Sequence, residues 1–312
     1  MLAPMRLVTS IARDQGGTGG GTPEPRLGAL TDEGVVDVEA AGGTRADEML
    51  RALASIGGVA GLRPAAGAAV RPLADVRLLA PLPWPPSFRD FMAFEKHVRN
   101  ARARRGLEVP DAWYRIPVFY FSNAASIRGP EDPVWSPPGS AALDFEFEVA
   151  AVIGSGGMDI RREDAFAHIA GLTVLNDWSA RDLQMREMPV LLGPAKGKDF
   201  ATTIGPWLLT FDELHDRTSG EHIDLAMTAR LNGQERTRGN LGDLHHTIPS
   251  LVAQASAGVE LFPGDILGTG TLGGGCLLED EDPRYLQPGD VVELEVEGVG
   301  VLRNTVGERR PE

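Results

Sequence analysis

Three acidic residues alternate with two phenylalanines in the segment Asp144-Phe-Glu-Phe-Glu148. Side chains on a β-strand repeat every two residues, so Glu146 and Glu148 would point to the same face, about 7 Å apart along the chain. Two such carboxylates repel each other unless a cation lies between them, and an all-oxygen ligand set favours Mg²⁺, Mn²⁺ or Ca²⁺. The alternative is a solvated strand face, which is the simplest interpretation of the similar alternation in Glu293–Glu297. The pattern predicts a strand and leaves both interpretations open.

A further carboxylate and two hydrogen-bonding side chains follow in Asn176-Asp-Trp-Ser-Ala-Arg-Asp-Leu-Gln184. Functional side chains concentrate at strand ends and in the turns after them, so Asp177 could supply a third carboxylate. Arg181 and Gln184 are three residues apart and would share one face of a helix. In the structural alternative, Asp177 caps that helix and Arg181 pairs with a neighbouring acid.

Asp90 and His97 are seven residues apart, which is nearly two helical turns. The spacing of the apolar residues around them predicts a helix over Ser87–Arg105, on which both side chains would lie on the same face. Ser87 and Asp90 also fit a variant of the capping box, and a histidine beside apolar residues is often a packed structural residue. The spacing alone therefore assigns no role to either residue.

Lysine is scarce in this chain, because the 30 basic residues comprise 27 arginines and only Lys96, Lys196 and Lys198. Two of the three lysines fall in the loop Lys196–Thr203, before a predicted strand at Trp207–Thr210. A compact ammonium group suits an enolate or carboxylate oxygen, whereas the alternative is a solvated loop.

The glycines of Gly268-Thr-Gly-Thr-Leu-Gly273 fit the G-x-G-x-x-G pattern of dinucleotide-binding loops. Such a loop needs a helix that begins at the last glycine within a βαβ unit, and the glycines and acidic residues that follow do not form one. The sequence therefore argues against a dinucleotide site. The single cysteine, Cys276, has no patterned partner and is interpreted as a small packed residue.

Short strands, proline-rich connections and few helices predict an α+β fold that is mainly β. The first part of the chain would hold three strands, at Arg6–Ile11, Pro25–Leu30 and Val35–Val38. A helix capped by Thr44 and ending at Gly57-Gly58 would follow, and then a linker over Gly61–Pro72. We therefore predict a small N-terminal β-rich domain over residues 1–72 and a larger domain over residues 73–312.

The larger domain would also be built mostly from strands. The elements predicted there are the strands Leu143–Ile153 and Leu172–Leu175, the helices Arg162–Ala170 and Ile248–Ala257, and a hairpin of Val291–Glu297 with Val299–Asn304. These elements would have to bring the polar motifs above into one place.

Composition excludes several classes of function. The formal net charge of −14 argues against nucleic acid and anionic membrane surfaces as partners, because both require clustered positive charge. No apolar stretch reaches the roughly 20 residues of a membrane helix, and Pro4 and Arg6 interrupt any signal peptide. A single cysteine permits no intrachain disulfide, which fits a reducing cytoplasm. We expect a soluble, cytoplasmic protein.

The motifs occur in a characteristic order, namely Asp90-Phe…His97, Pro117-Val-Phe-Tyr120, Leu143–Glu148, Asn176–Gln184, Lys198-Asp-Phe-Ala-Thr202 and Gly268–Thr271. In their joint order and spacing they resemble the fumarylacetoacetate hydrolase family over roughly residues 75–310. The resemblance implies a catalytic domain with a mixed β-roll fold, often preceded by a small domain like residues 1–72. It also implies a homodimer.

The resemblance assigns a role to each matching position. The residues that match the divalent-metal ligands are Glu146, Glu148 and Asp177, with Asp90 as a fourth carboxylate. His97 matches the general base, and Glu279 is placed like the carboxylate that orients it. The positions that match substrate contacts are Tyr120, Arg181, Gln184, Lys198 and Thr271, and Lys198 would also act in catalysis by holding a developing oxyanion. Many smaller members have a glutamate three residues after the histidine, where this chain has Asn100.

The implied activity is hydrolysis of a C–C bond in a 1,3-dicarbonyl or acylpyruvate-type acid, such as fumarylacetoacetate or fumarylpyruvate. A divalent cation, Mg²⁺ or else Mn²⁺ or Ca²⁺, would stabilise the enolate that leaves. A lid over residues 88–115, rich in arginine, would close over the small keto-acid substrate. The family also implies an alternative, in which the protein is a metal-dependent decarboxylase, isomerase or dehydratase of a keto or sugar acid.

Overall fold

The computed structural model describes residues 5–13, 24–39, 48–54, 62–65 and 67–308. The helices in these residues are α1 (Glu48–Ala54), α2 (Glu95–Ala103), α3 (Arg181–Glu187) and α4 (Ile248–Ser256). The strands are β1 (Arg6–Ala12), β2 (Arg26–Thr31), β3 (Gly34–Glu39), β4 (Arg63–Pro64), β5 (Val70–Arg71), β6 (Val76–Leu78), β7 (Phe88–Phe91), β8 (Phe119–Phe121), β9 (Ile127–Arg128), β10 (Leu143–Asp144), β11 (Phe147–Ile153), β12 (Ile169–Asp177), β13 (Ser179–Ala180), β14 (Thr202–Thr210), β15 (Thr218–Ser219), β16 (His222–Ile223), β17 (Ala226–Leu231), β18 (Gln234–Asn240), β19 (Ile266–Gly268), β20 (Val291–Val296) and β21 (Gly300–Thr305). The predicted α+β, mainly β fold class is confirmed.

One large mixed sheet runs through the described residues, with the main strand order β4-β3-β2-β1-β14-β12-β11-β19-β7-β8. Three further strands join it, because β5 pairs with β3, β6 with β1 and β9 with β14. Antiparallel pairing of Arg6 with Leu209 and of Leu7 with Leu208 links β1 to β14. The N-terminal strands therefore continue the sheet, and the domain boundary at residue 72 stays a prediction.

Both faces of the central strands are covered. On one face of β11, Val149 packs in a core shared with Leu294 of β20, in the four-stranded sheet β18-β17-β20-β21. On the other face, Ala150 packs in a core shared with Leu53 of α1. Burial on two sides explains why every residue of β11 is buried and nearly all are apolar.

The helix predicted over Ser87–Arg105 is wrong in its first part. Phe88–Phe91 forms β7, which pairs in parallel with β19, and α2 begins only at Glu95. All four residues of β7 are buried in the sheet, and this tertiary burial outweighs the helical spacing of the apolar side chains. The capping-box alternative is also wrong, because the Ser87 hydroxyl donates to Asp265 at 2.7 Å.

Other boundaries differ less from the predictions. The strand predicted over Leu143–Ile153 is interrupted, because β10 pairs with β13 and β11 starts at Phe147. The helix predicted at Arg162–Ala170 is a 3₁₀ helix over Arg162–His168. Helix α4 and the β20–β21 hairpin agree with prediction to within a residue or so. Thr44 and Gly57-Gly58 lie outside the described residues.

No helix formed by the described residues combines the length and the apolar composition needed to cross a membrane.

Candidate active site

A cavity of about 460 Å³ lies beside β7, α2, β11 and α3. Nine of the eleven side chains singled out from the sequence line it, namely Asp90, His97, Tyr120, Glu146, Glu148, Arg181, Gln184, Lys198 and Thr271. The other two lie behind its wall, where Asp177 contacts Lys198 and Glu279 contacts His97. The fold therefore gathers all of these residues around one cavity.

Sheet register brings three carboxylates together. Asp90 on β7 is aligned with Gly268 on β19, and Gly268 is aligned with Ala150 on β11, two residues beyond Glu148. Asp177 ends the neighbouring strand β12, whose Asn176 is aligned with Phe147. One oxygen from each of Asp90, Glu148 and Asp177 lies within 4.8 Å of the others. We call these three residues the carboxylate cluster.

Gly268 leaves room for the carboxylate cluster. A Cβ atom on Gly268 would stand 2.5 Å from Asp90 Oδ1 and 3.1 Å from Glu148 Oε2, closer than side-chain carbons pack. The Gly270 amide donates to Glu148 Oε2 at 2.8 Å. Within the described residues, Asp90 Oδ1 is buried without a hydrogen-bond partner.

The cluster is short of positive charge. Burial raises the pKa of Asp90 well above its ordinary value, and the charge of Asp177 adds to this effect. Burial likewise raises the pKa of Glu148, followed by the charges of Asp90 and Asp177. An unpartnered buried oxygen among three carboxylates suits a hard divalent cation, so these residues fit Mg²⁺, Mn²⁺ or Ca²⁺.

Glu146 lies outside the carboxylate cluster. Its carboxylate pairs with Arg181 at 2.7 Å and with Lys198, whose ammonium also contacts Asp177. Burial alone would raise the pKa of Glu146, but the charges of Lys198 and Arg181 lower it. The alternation predicted for one continuous strand fails here because the chain leaves β10 before it enters β11. A role for Glu146 as a metal ligand stays a prediction.

Arg181 is hydrogen-bonded to a residue to which sequence reasoning assigned no role. The fully buried Asp144 accepts from Arg181 Nε at 2.8 Å and from the amides of Leu277 and Leu278 at 2.8 and 3.1 Å. Arg181 also donates to Gln184 Oε1 at 3.0 Å, as their shared helical face predicts. The signal for Asp144 was present, since it opens the same acidic alternation as Glu146.

His97 and Glu279 form a buried pair. Nδ1 of His97 lies 2.7 Å from Glu279 Oε1, and the two side chains are 8% and 4% exposed. Glu279 Oε2 accepts from the Gly274 amide at 2.9 Å and from the Asn100 side chain. Asn100 therefore contacts the carboxylate beside the histidine instead of supplying one.

The remaining predicted contacts are distributed around the cavity. The Tyr120 hydroxyl lies 2.5 Å from Asp177 Oδ2 and 3.1 Å from Asp90 Oδ2, and burial raises its pKa well above the ordinary value. Arg102 and Arg105 of the predicted lid also line the cavity. The apolar side chains on its wall include Met92, Val98, Val118, Phe119, Met188 and Leu192.

Two of the other lid arginines are engaged elsewhere. Arg99 pairs with Glu95 one helical turn away, and Arg104 donates to the Glu281 carbonyl at 2.6 Å. Within the described chain, the lid prediction thus contributes Arg102 and Arg105 to the cavity, while its first residues are an inner strand of the sheet. Closure of a lid stays a prediction.

Comparison with known proteins identifies the family. Residues 87–307 match the family model described as fumarylacetoacetate hydrolase, C-terminal. The chain is 35% identical to a fumarylacetoacetase from Arabidopsis thaliana over 62% of this chain and 57% of that protein, so it spans less than two thirds of that relative. It is 32% identical to the oxaloacetate tautomerase YisK from Bacillus subtilis over 75% of this chain and 74% of that protein.

The solved structures agree with the sequence matches. A probable 2-hydroxyhepta-2,4-diene-1,7-dioate isomerase from Mycobacterium abscessus is 28% identical, with a TM-score of 0.71 over 98% of this chain and 100% of that one. Fold, motif order and cavity therefore lead to one assignment. The chain belongs to the fumarylacetoacetate hydrolase family.

Proposed function

We propose that this enzyme hydrolyses a C–C bond in a small 1,3-dicarbonyl or acylpyruvate-type acid. The observation that carries the proposal is the 2.7 Å contact between His97 Nδ1 and Glu279 Oε1, on the wall of the cavity that holds the carboxylate cluster. Such a pair supports a general base aimed by its partner, which is what activation of water requires. Homodimer assembly and a cytoplasmic location remain predictions.

The carboxylate cluster of Asp90, Glu148 and Asp177 would hold the divalent cation, for which Mg²⁺ is the first candidate. When bound, such an ion supplies electrophilic stabilisation of negative charge that develops on substrate oxygen. Lys198 and Arg181 are already paired with carboxylates of the site, so they position those groups as well as offering charge to a substrate.

His97 has the central task in this proposal. Nε2 forms no hydrogen bond within the described residues, so it is the nitrogen that can take a proton from water while Glu279 holds Nδ1. The oxygen of that water adds to the substrate carbonyl carbon, and the adjacent C–C bond then breaks. The electron pair of that bond moves onto the neighbouring carbonyl group of the leaving fragment, which becomes an enolate. The enolate carbon finally accepts the proton that His97 took from water. One water is consumed and two acids leave.

The negative charge of the substrate would be met by cationic side chains that line the cavity. Arg102 and Arg105 line the cavity from α2 and the turn after it, and Gln184 lines it from α3. A guanidinium binds a carboxylate in a bidentate manner, so these arginines are suited to orient a keto acid. The apolar wall would accommodate the acyl group.

Tautomerisation of a keto acid such as oxaloacetate is a second candidate. The same His97–Glu279 pair can move a proton between carbon and oxygen with no water consumed, and the relative YisK is named an oxaloacetate tautomerase. The two candidates differ in whether an oxygen atom from solvent enters the product.

The test is a substrate screen in ¹⁸O-labelled water. Acylpyruvates, fumarylpyruvate and the enol of oxaloacetate are followed by loss of enol absorbance, with Mg²⁺ or with EDTA, and products are weighed by mass spectrometry. Hydrolysis predicts one solvent oxygen in the new carboxyl group of the acyl fragment. It also predicts that EDTA abolishes the activity. Conversion of oxaloacetate alone, with its carbon skeleton intact, would replace hydrolysis by tautomerisation.

A further inference from the structure

A second group of side chains whose atoms could ligate a metal extends from the cavity wall at His97 to Cys276 and Glu279 behind it. One ligand atom from each of His97, Cys276 and Glu279 lies within 4.8 Å of the other two. This group shares no residue with the carboxylate cluster, and Cys276 has no part in the proposed reaction. We propose that these three side chains form a zinc site whose occupation switches the enzyme off.

Two of the three distances within the group can be compared with those of a tetrahedral zinc centre. Bond lengths of about 2.3 Å to sulfur and 2.0 Å to nitrogen and oxygen place sulfur and oxygen about 3.5 Å apart, and nitrogen and oxygen about 3.3 Å apart. Cys276 Sγ lies 3.5 Å from Glu279 Oε1, and His97 Nδ1 lies 2.7 Å from the same oxygen. One separation already matches, and the other needs to widen by about 0.6 Å.

The two ligands from the C-terminal part of the chain are three residues apart. Cys276 precedes the 3₁₀ helix Leu277–Glu279, which Glu279 ends, so one short turn carries both side chains to the same place. His97 approaches from α2, where it is buried. Admission of an ion therefore requires movement of one short turn and one imidazole, and three protein ligands leave a fourth position for water.

Donor chemistry separates this group from the carboxylate cluster. Thiolate and imidazole are ligands that zinc accepts readily and that Mg²⁺ and Ca²⁺ avoid, because these harder ions prefer oxygen. Binding converts the Cys276 thiol to a thiolate, and its proton leaves to solvent. Cellular Mg²⁺ would therefore bind the carboxylate cluster, and the group of His97, Cys276 and Glu279 would bind zinc.

Zinc at this position would disable the base. The ion takes the carboxylate that orients His97 and the lone pair of Nδ1, whose proton moves to Nε2. Nε2 then carries a hydrogen and cannot take a proton from water. This effect on turnover rests on the proposed function, whereas the binding of zinc does not.

The test uses Co²⁺ as a spectroscopic substitute for zinc, added to the full chain in excess Mg²⁺ to keep the carboxylate cluster filled. We expect a thiolate-to-cobalt charge-transfer band that added Zn²⁺ removes. In Cys276→Ser the band should vanish, and zinc should bind at least about 100-fold more weakly, since loss of an outer partner alone costs 10–100-fold. Glu281→Gln, which changes an exposed acid two residues beyond Glu279, should keep the band.

A wild-type protein without the thiolate band, or a band unchanged in Cys276→Ser, would overturn the proposal. His97→Asn gives an independent check if Cys276→Ser fails to fold, because loss of the imidazole should also change the cobalt spectrum. The cobalt measurements need no substrate, so they remain decisive even if no keto acid is turned over. Where turnover is found, zinc inhibition of equal strength in wild type and Cys276→Ser would refute the switch.

Discussion

Substitution of Gly268 by alanine tests the role of the carboxylate cluster without changing any side chain of the cavity. The added Cβ would stand 2.5 Å from Asp90 Oδ1, where ordinary contact begins at about 3.4 Å, so the carboxylate must move by roughly 0.9 Å. Metal–ligand distances tolerate changes of only about 0.2 Å. The displaced Asp90 is therefore lost as a ligand, and we expect divalent-cation affinity to fall by at least 10–100-fold, or about 1.4–2.7 kcal/mol.

Manganese binding followed by electron paramagnetic resonance measures this loss directly, and thermal unfolding of the metal-free protein shows whether the fold survives. Gly307→Ala is the matched control, because a Cβ there meets no atom closer than 3.5 Å. We expect wild-type affinity in Gly307→Ala. A folded Gly268→Ala protein that binds Mn²⁺ as tightly as wild type would show that Asp90 does not hold the ion.

Three further predictions concern the His97–Glu279 pair, Asp144 and Asp182. His97→Asn and Glu279→Gln should each lower kcat by about 10²–10⁴-fold, and the double variant should lose little more, in steady-state assays of the active substrate. Asp144→Ala should cost about 3–5 kcal/mol in urea unfolding, because it removes one of the two carboxylates that pair with the buried Arg181 and the acceptor of the Leu277 and Leu278 amides. Burial alone would raise the pKa of Asp182, but hydrogen bonds from a hydroxyl and two amides lower it. The ionised carboxylate of Asp182 thus stabilises the fold fully at pH above the unfolded-state pKa of about 3.9, and this stability is lost as pH falls through the lower folded-state pKa. Asp182→Asn should therefore flatten the acid limb of the curve of unfolding free energy against pH.

Local patterns predicted part of the candidate site. The period of two in a strand made Glu148 a candidate, and the position at a strand end made Asp177 one, and both lie in the carboxylate cluster. The same period also selected Glu146, which lies outside it. The pairing of Arg181 with Gln184 likewise follows from helical spacing. Each of these inferences needs only the geometry of one element.

Features set by contacts between distant segments were beyond such patterns. The spacing of the aromatic residues in Phe88–Phe91 is compatible with a helix. This segment is a strand because it hydrogen-bonds to β19, which lies far away in the sequence. The break after Asp144 depends on pairing with β13, so the sequence could not separate Glu146 from Glu148. Cys276 was interpreted as a packed residue, which it is, yet its position beside Glu279 arises only from the fold.

The pairing of strand β1 with β14 affects the dynamics of the site. It pairs with the far end of β14, whose first residues, Thr202 and Thr203, are aligned with Asp177 and Asn176 of β12. Side chains from β1, β2 and α1 also share a core with Ala150 and Ile204. Elements that share a ladder and a core open together, so amide hydrogens of β14 should exchange at a rate governed by the N-terminal strands. Residues outside the family match would then set how often strand β12, which carries Asp177, is exposed.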